Sequence, residues 1–137
     1  CNWGDLDYLL IDMPPGTGDV ALTVFQSLPV EGVVIVSSPQ DLVQMVVGKA
    51  VRMAEMMHVS ILGLIENMAY ITCPHCDERI EPYGPSKLAE TAAAFNLKPL
   101  GQLPMDATFA QIADKGTFST DLPEGLVPDA TQSILNL

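Results

Sequence analysis

Three unbroken apolar runs constrain this chain more than any other feature: 7–11 "DYLLI", 33–37 "VVIVS" and 61–67 "ILGLIEN". Runs of this length without polar alternation predict strands buried on both faces, the pattern of a parallel sheet. Between the second and third lies 41–57 "DLVQMVVGKAVRMAEMM", in which Val43, Val46, Val47, Ala50, Ala54 and Met57 recur at three- and four-residue intervals. That spacing predicts one helix face, with the Met-rich stripe serving as core packing. A second helix is predicted over 85–95, with Pro85 in its first turn, then a short strand at 99–104, a helix over 106–115 and a terminal helix at 128–136. Strands alternating with helices predict βαβ units and an α/β fold, a mainly parallel sheet flanked by helices. With 137 residues, 48% of them hydrophobic and 17% charged, one domain spanning 1–137 is expected. No internal repeat or low-complexity segment interrupts it.

Charge and cysteine count narrow the function. A net charge of −11 with only six Lys and Arg argues against a nucleic-acid partner, which needs a basic surface. The apolar stretches are strand-sized, far below the ~20 residues a membrane span requires, and no signal peptide is visible. Three cysteines, an odd number, do not read as a disulfide framework, so a reducing cytoplasm is the expected compartment. The chain starts at Cys1 with no Met and runs within a few residues into a predicted strand, which reads as a fragment.

Parallel sheets bind ligands at the carboxyl ends of their strands. The first predicted strand is followed by "DMPPGTGD", Asp12 to Asp19. A carboxylate closing a buried strand is costly unless partnered, and a bound cation would partner Asp12. Gly16 and Gly18 permit backbone N–H groups to approach an anion, while the two prolines stiffen the turn. The alternative is an ordinary Pro-Gly turn beside an N-cap-like Asp.

Taken whole, "LDYLLIDMPPGTGDVALTV" resembles the switch II region of the Mrp/ApbC-type ATP-binding proteins, members of the deviant P-loop class that includes MinD and the nitrogenase iron protein. "VVIVSSPQD" at 33–41, "ILGLIENMAY" at 61–70 with "CPHC" behind it, and "LGQLPMD" at 100–106 follow in that family's order. The resemblance covers nearly the whole chain. It implies a Rossmann-like three-layer fold in which Asp12 holds Mg²⁺ through a water and Gly16 offers its N–H near the γ-phosphate of ATP. Thr17, Gly18 and Asp19 complete the switch loop, Asn67 hydrogen-bonds the adenine and Pro104 flanks the base. For Asn67, capping of a strand end is the plainer alternative. Ser37, Ser38 and Gln40 match a "T-T-P-Q" segment and are expected to give structural support. Two departures stand out. No G-x-x-x-x-G-K-[ST] phosphate loop occurs, so the chain reads as the C-terminal portion of such an ATPase, lacking its N-terminal P-loop unit and inactive alone although the intact protein would hydrolyse ATP. Many relatives also carry a basic residue soon after the Asp of "PMDATF", and this chain does not.

The pair Cys73 and Cys76, in a predicted metal-binding loop at 70–84, admits a redox dithiol, a zinc site or an iron–sulfur site. A thioredoxin-type centre needs a long helix starting at the first cysteine, and Pro82, Gly84 and Pro85 oppose one. A closed metal site needs four ligands. Cys1 belongs to no motif and His75, inside the loop, reads as solvated. Two loops on the axis of a symmetric homodimer would supply four thiolates, for zinc or for a [4Fe–4S] cluster. The resemblance favours the cluster and implies an ATP-dependent iron–sulfur carrier with apo iron–sulfur proteins as recipients. A MinD- or ParA-like positioning ATPase is the competing class. It calls for a basic or amphipathic anchor, whereas the tail 121–137 has no Lys or Arg.

Overall fold

The computed structural model describes residues 2–137, so Cys1 lies outside the described residues. Three parallel strands form the centre. β1 (Gly32–Ser37) and β4 (Pro99–Pro104) pair on either side of the long β2 (Ser60–Thr72), and the two-residue β3 (Arg79–Ile80) returns antiparallel to the far end of β2. The helices are α1 (Asp19–Ser27), α2 (Asp41–Met56), α3 (Leu88–Ala94), α4 (Ala107–Asp114), the single turn α5 (Phe118–Asp121) and α6 (Pro128–Leu135).

Successive residues of a strand face opposite sides of the sheet, and β2 builds two cores that way. Leu64, fully buried, packs with Val47 and Val51 of α2 and Ala92 of α3. Ile65, its neighbour, packs with Leu100 of β4 and Ala130 of α6. Helices thus cover both faces of the sheet, the three-layer α/β arrangement expected from the sequence. α6 is held there by its apolar side, and among the described residues no helix is long and apolar enough to cross a membrane. Close packing at the centre requires glycine at 63: with φ at +151°, a Cβ there would stand 2.3 Å from the Lys98 carbonyl oxygen.

The run 7–11 departs from expectation. It forms no strand, and its side chains are exposed, Leu10 to 77%. A strand buried on both faces needs a ladder beside it. Among the described residues β1 pairs only with β2 and 7–11 pairs with nothing. Three smaller corrections concern helices. In α2, Val47, Val51, Met53 and Ala54 are buried, whereas Val46, Met45 and Met56 are exposed, so only part of the Met-rich stripe is core. α1 and α5 were not foreseen. α3 starts at Leu88 rather than Pro85, with Lys87 at its N-cap.

Candidate nucleotide cleft and cysteine hairpin

The sequence candidates fall into three places. Asn67 and Pro104, remote in sequence, meet at the carboxyl edge of the sheet. Together with Met68, Ile71, Asp106 and Phe109 they line a cleft of about 490 Å³. Asn67 and Phe109 also border a second cleft of about 570 Å³, walled by Phe118, Glu124 and Val127. The Asn67 Oδ1 accepts the Met68 N–H at 2.8 Å, which supports the left-handed backbone of Met68 (φ 55°) without ending the strand. β2 continues to Thr72. Asp106 caps α4, accepting the N–H of Thr108 at 2.8 Å and a bond from the Thr108 hydroxyl. The hydroxyl first, and then the N–H, holds its carboxyl below the usual carboxylate range.

Asp12, Gly16 and Thr17 lie on the segment leading into α1 and line neither cleft. Asp12 is exposed, so it is not the buried strand-closing carboxylate that the sequence suggested. Gly16 has φ 93° with open space around its Cβ direction, a conformation that favours glycine. Ser37 gives the structural support expected of it: its hydroxyl donates to the Ile65 carbonyl at 3.4 Å.

Cys73 and Cys76 sit on the turn of the β2–β3 hairpin. The Cys73 N–H donates to the Glu78 carbonyl (2.9 Å) and the Asp77 N–H to the Cys73 carbonyl (3.0 Å), closing the loop with Asp77 left-handed at φ 57°. Cys73 is half-buried, while Cys76 and His75 are exposed. The backbone N–H of His75 lowers the Cys73 thiol pKa most, followed by the side chain and then the backbone of Cys76. Donors gathered on one sulfur favour the thiolate, the form that binds metal. No helix follows the pair, which removes the thioredoxin-type arrangement. Among the described residues no group of three or more His, Cys, Asp or Glu could hold a metal, so the hairpin turn offers two thiolates where a closed site needs four donors.

Sequence reasoning missed Glu66. It is 1% exposed and accepts three hydrogen bonds: from the Ser86 hydroxyl (2.6 Å), the Lys87 N–H (2.9 Å) and the Gln102 side-chain amide (2.9 Å). The signal was a charged residue inside the apolar run "LGLIEN", matched by Gln102 inside "PLGQLP".

The profile of a ParA-type family described as NUBPL iron-transfer P-loop NTPase matches residues 1–136. An "Iron-sulfur cluster carrier protein" of Aquifex aeolicus is 46% identical over 84% of this chain and 32% of its own length. The mouse "Iron-sulfur cluster transfer protein NUBPL" is 41% identical over 84% of the chain and 36% of its own. An Arabidopsis thaliana "Iron-sulfur protein required for NADH dehydrogenase, mitochondrial" is 39% identical over 97% and 43%. The chain therefore spans well under half the length of these relatives. A nucleotide-binding protein of Archaeoglobus fulgidus, solved in complex with ADP and with Co found by PIXE, superposes with a TM-score of 0.79 at 43% identity, over 90% of this chain and 52% of that one. A fold of the P-loop NTPase type, the order of its motifs and a profile match along almost its entire length mean that the chain belongs to the NUBPL iron-transfer P-loop NTPase family.

Proposed function

We propose that the intact protein is an ATP-dependent iron–sulfur cluster carrier, in which Cys73 and Cys76 of two protomers hold a bridging [4Fe–4S] cluster and release it to apo-protein recipients. The observation that carries this reading is the hairpin itself. Its turn presents two cysteines, one of them biased toward thiolate, while the described residues of a single chain gather no set of three or more donors, short of the four a closed site needs. Exposed apolar side chains beside the turn, Ile80 and Tyr83, suit burial against a second copy. The names of the relatives supply the iron–sulfur cargo. A reducing cytoplasm suits such thiols.

For nucleotide, the clefts around Asn67 and Pro104 are of a size and position to take the base. Asp12, Gly16 and Thr17 would serve Mg²⁺ and the γ-phosphate. In this reading the chain is the C-terminal portion of the ATPase, with the phosphate loop elsewhere in the longer protein. Support comes from the missing G-x-x-x-x-G-K-[ST] string, the 32–43% coverage of the relatives and the exposed apolar side chains of 8–11. Bound Mg–ATP would bias the switch segment 12–19, and β2 would connect the base cleft to the cysteine turn, since Asn67 and Ile71 lie along it and Cys73 follows its last residue, Thr72.

Anaerobic reconstitution with iron and sulfide tests the proposal. The expected product carries about four irons and four sulfides per dimer, with the broad visible absorption of a thiolate-bound cluster. Zinc held by the same cysteines, with no iron taken up under reducing conditions, would replace the cluster by a structural zinc bridge.

A further inference from the structure

We infer that Glu66 is a positioning residue for the cysteine turn, joining the return segment of the hairpin to the two strands that frame the Asn67 cleft. This rests on the reading of Cys73 and Cys76 as the cargo-holding pair and deepens it.

Within the hairpin the turn bonds of Cys73 and the stacking of Arg79 on Tyr70 act locally, and the ladder is short. β3 contributes two residues to the ladder, Ile71 opposite Ile80 and Thr72 opposite Arg79, and both Arg79 and Ile80 are exposed. After β3 the chain turns through Glu81 to Gly84, closed by the Gly84 N–H on the Glu81 carbonyl at 3.1 Å. It must then come back to the sheet before α3. Ser86 and Lys87 are where it does so, and both donate to one carboxylate, the hydroxyl to Oε2 and the N–H to Oε1. The third donor, Gln102, belongs to β4 and stands opposite Glu66 in the register. The buried carboxylate is held by all three donors, Oε2 by Ser86 and Gln102 and Oε1 by Lys87. Lys87 is the N-cap of α3, so the carboxylate accepts an N–H where that helix begins.

Glu66 therefore occupies an unusual crossing. Its chain neighbour Asn67 lines the cleft, its cross-strand partner Gln102 lies on the strand that leads to Pro104, and its two remaining partners end the segment that begins at the cysteine turn. A shift at the cleft edge of β2 or β4 changes the anchor of that segment, and the anchor limits where Cys73 and Cys76 stand.

The experiment compares the 137-residue chain with its Ser86→Ala, Glu66→Ala and Glu66→Gln variants by two readouts. Amide hydrogen exchange is followed segment by segment, and cobalt(II) is titrated against the cysteines through the sulfur-to-cobalt absorption band. Ser86→Ala removes one of the three bonds to Glu66 and should speed exchange across 79–88 about tenfold, with β1 and α2 at parental rates. Glu66→Ala should do more, and Glu66→Gln less than Glu66→Ala, since Ser86 and Gln102 can turn an oxygen toward the new amide. Half-saturating cobalt should rise several-fold in the same order. The inference is overturned if exchange across 79–88 stays parental, if it speeds equally throughout the molecule, or if it speeds locally while cobalt binding does not change. A parent that binds no cobalt refutes the cysteine reading separately, and exchange alone then decides whether Glu66 anchors the segment.

Discussion

The guanidinium carbon of Arg79 lies 4.1 Å from the centroid of the Tyr70 ring. Tyr70 is on β2 and Arg79 on β3, so the contact spans the base of the cysteine hairpin. On its other side the Tyr70 carbonyl accepts the Met105 N–H at 2.7 Å, next to Pro104 in the cleft wall. Arg79→Ala should therefore cost about 0.5–1 kcal/mol, the value of an exposed cation–π pair. Thermal unfolding should shift down by a few degrees, and exchange at Thr72 to Ile80 should rise more than elsewhere.

Gly63→Ala should be among the most damaging single substitutions. The new methyl would meet the Lys98 carbonyl oxygen at 2.3 Å with φ at +151°, which strains both the backbone and the β2–β4 contact. A loss of ~3 kcal/mol or more is expected from overpacking plus strain, read from the urea midpoint.

In the metal-free chain Cys73 should alkylate at lower pH than an ordinary thiol. The lowered pKa enlarges the thiolate fraction as pH falls toward neutrality, and the thiolate is the reactive form. The rate with iodoacetamide, plotted against pH, should have its inflection below the ordinary cysteine value. Cys76→Ala removes one of the contributing groups, so it should move that inflection upward. An unchanged inflection would mean that the turn donors do not act on the sulfur.

ATP should give no saturable heat with this chain at millimolar concentration, as measured by calorimetry. The G-x-x-x-x-G-K-[ST] loop does not occur, and Asp12, Gly16 and Thr17 line neither cleft at Asn67. Micromolar binding would show that a phosphate site had been overlooked.

Much of this was legible in the residues. "VVIVS", "ILGLIEN" and "PLGQLP" became β1, β2 and β4 because local apolar runs and the helical period between them agree with the packing they enter. The β2–β3 hairpin that carries "CPHC" was not foreseen. What stayed hidden depends on partners distant in sequence. "DYLLI" has strand composition, but a strand exists only with a neighbouring ladder, and none is present among the described residues. β2 runs beyond Asn67, since its far end pairs with β3, which is too short to give a periodic signal. The segment before α3 meets Glu66, twenty residues upstream of Ser86, a contact no local pattern announces. Pro85 correctly signalled a helix nearby and misplaced its first turn by three residues.

The bridged-dimer claim is tested most directly by measuring mass and bound metal together, for the reconstituted parent and its Cys73→Ala variant, by native mass spectrometry under anaerobic conditions. Symmetry repeats each substitution, so Cys73→Ala removes two of the four thiolates at once. The account predicts a parent dimer carrying one four-iron cluster and a variant that is monomeric and iron-free. A Cys73→Ala chain that binds iron as well as the parent, or a parent that holds its cluster as a monomer, would contradict it.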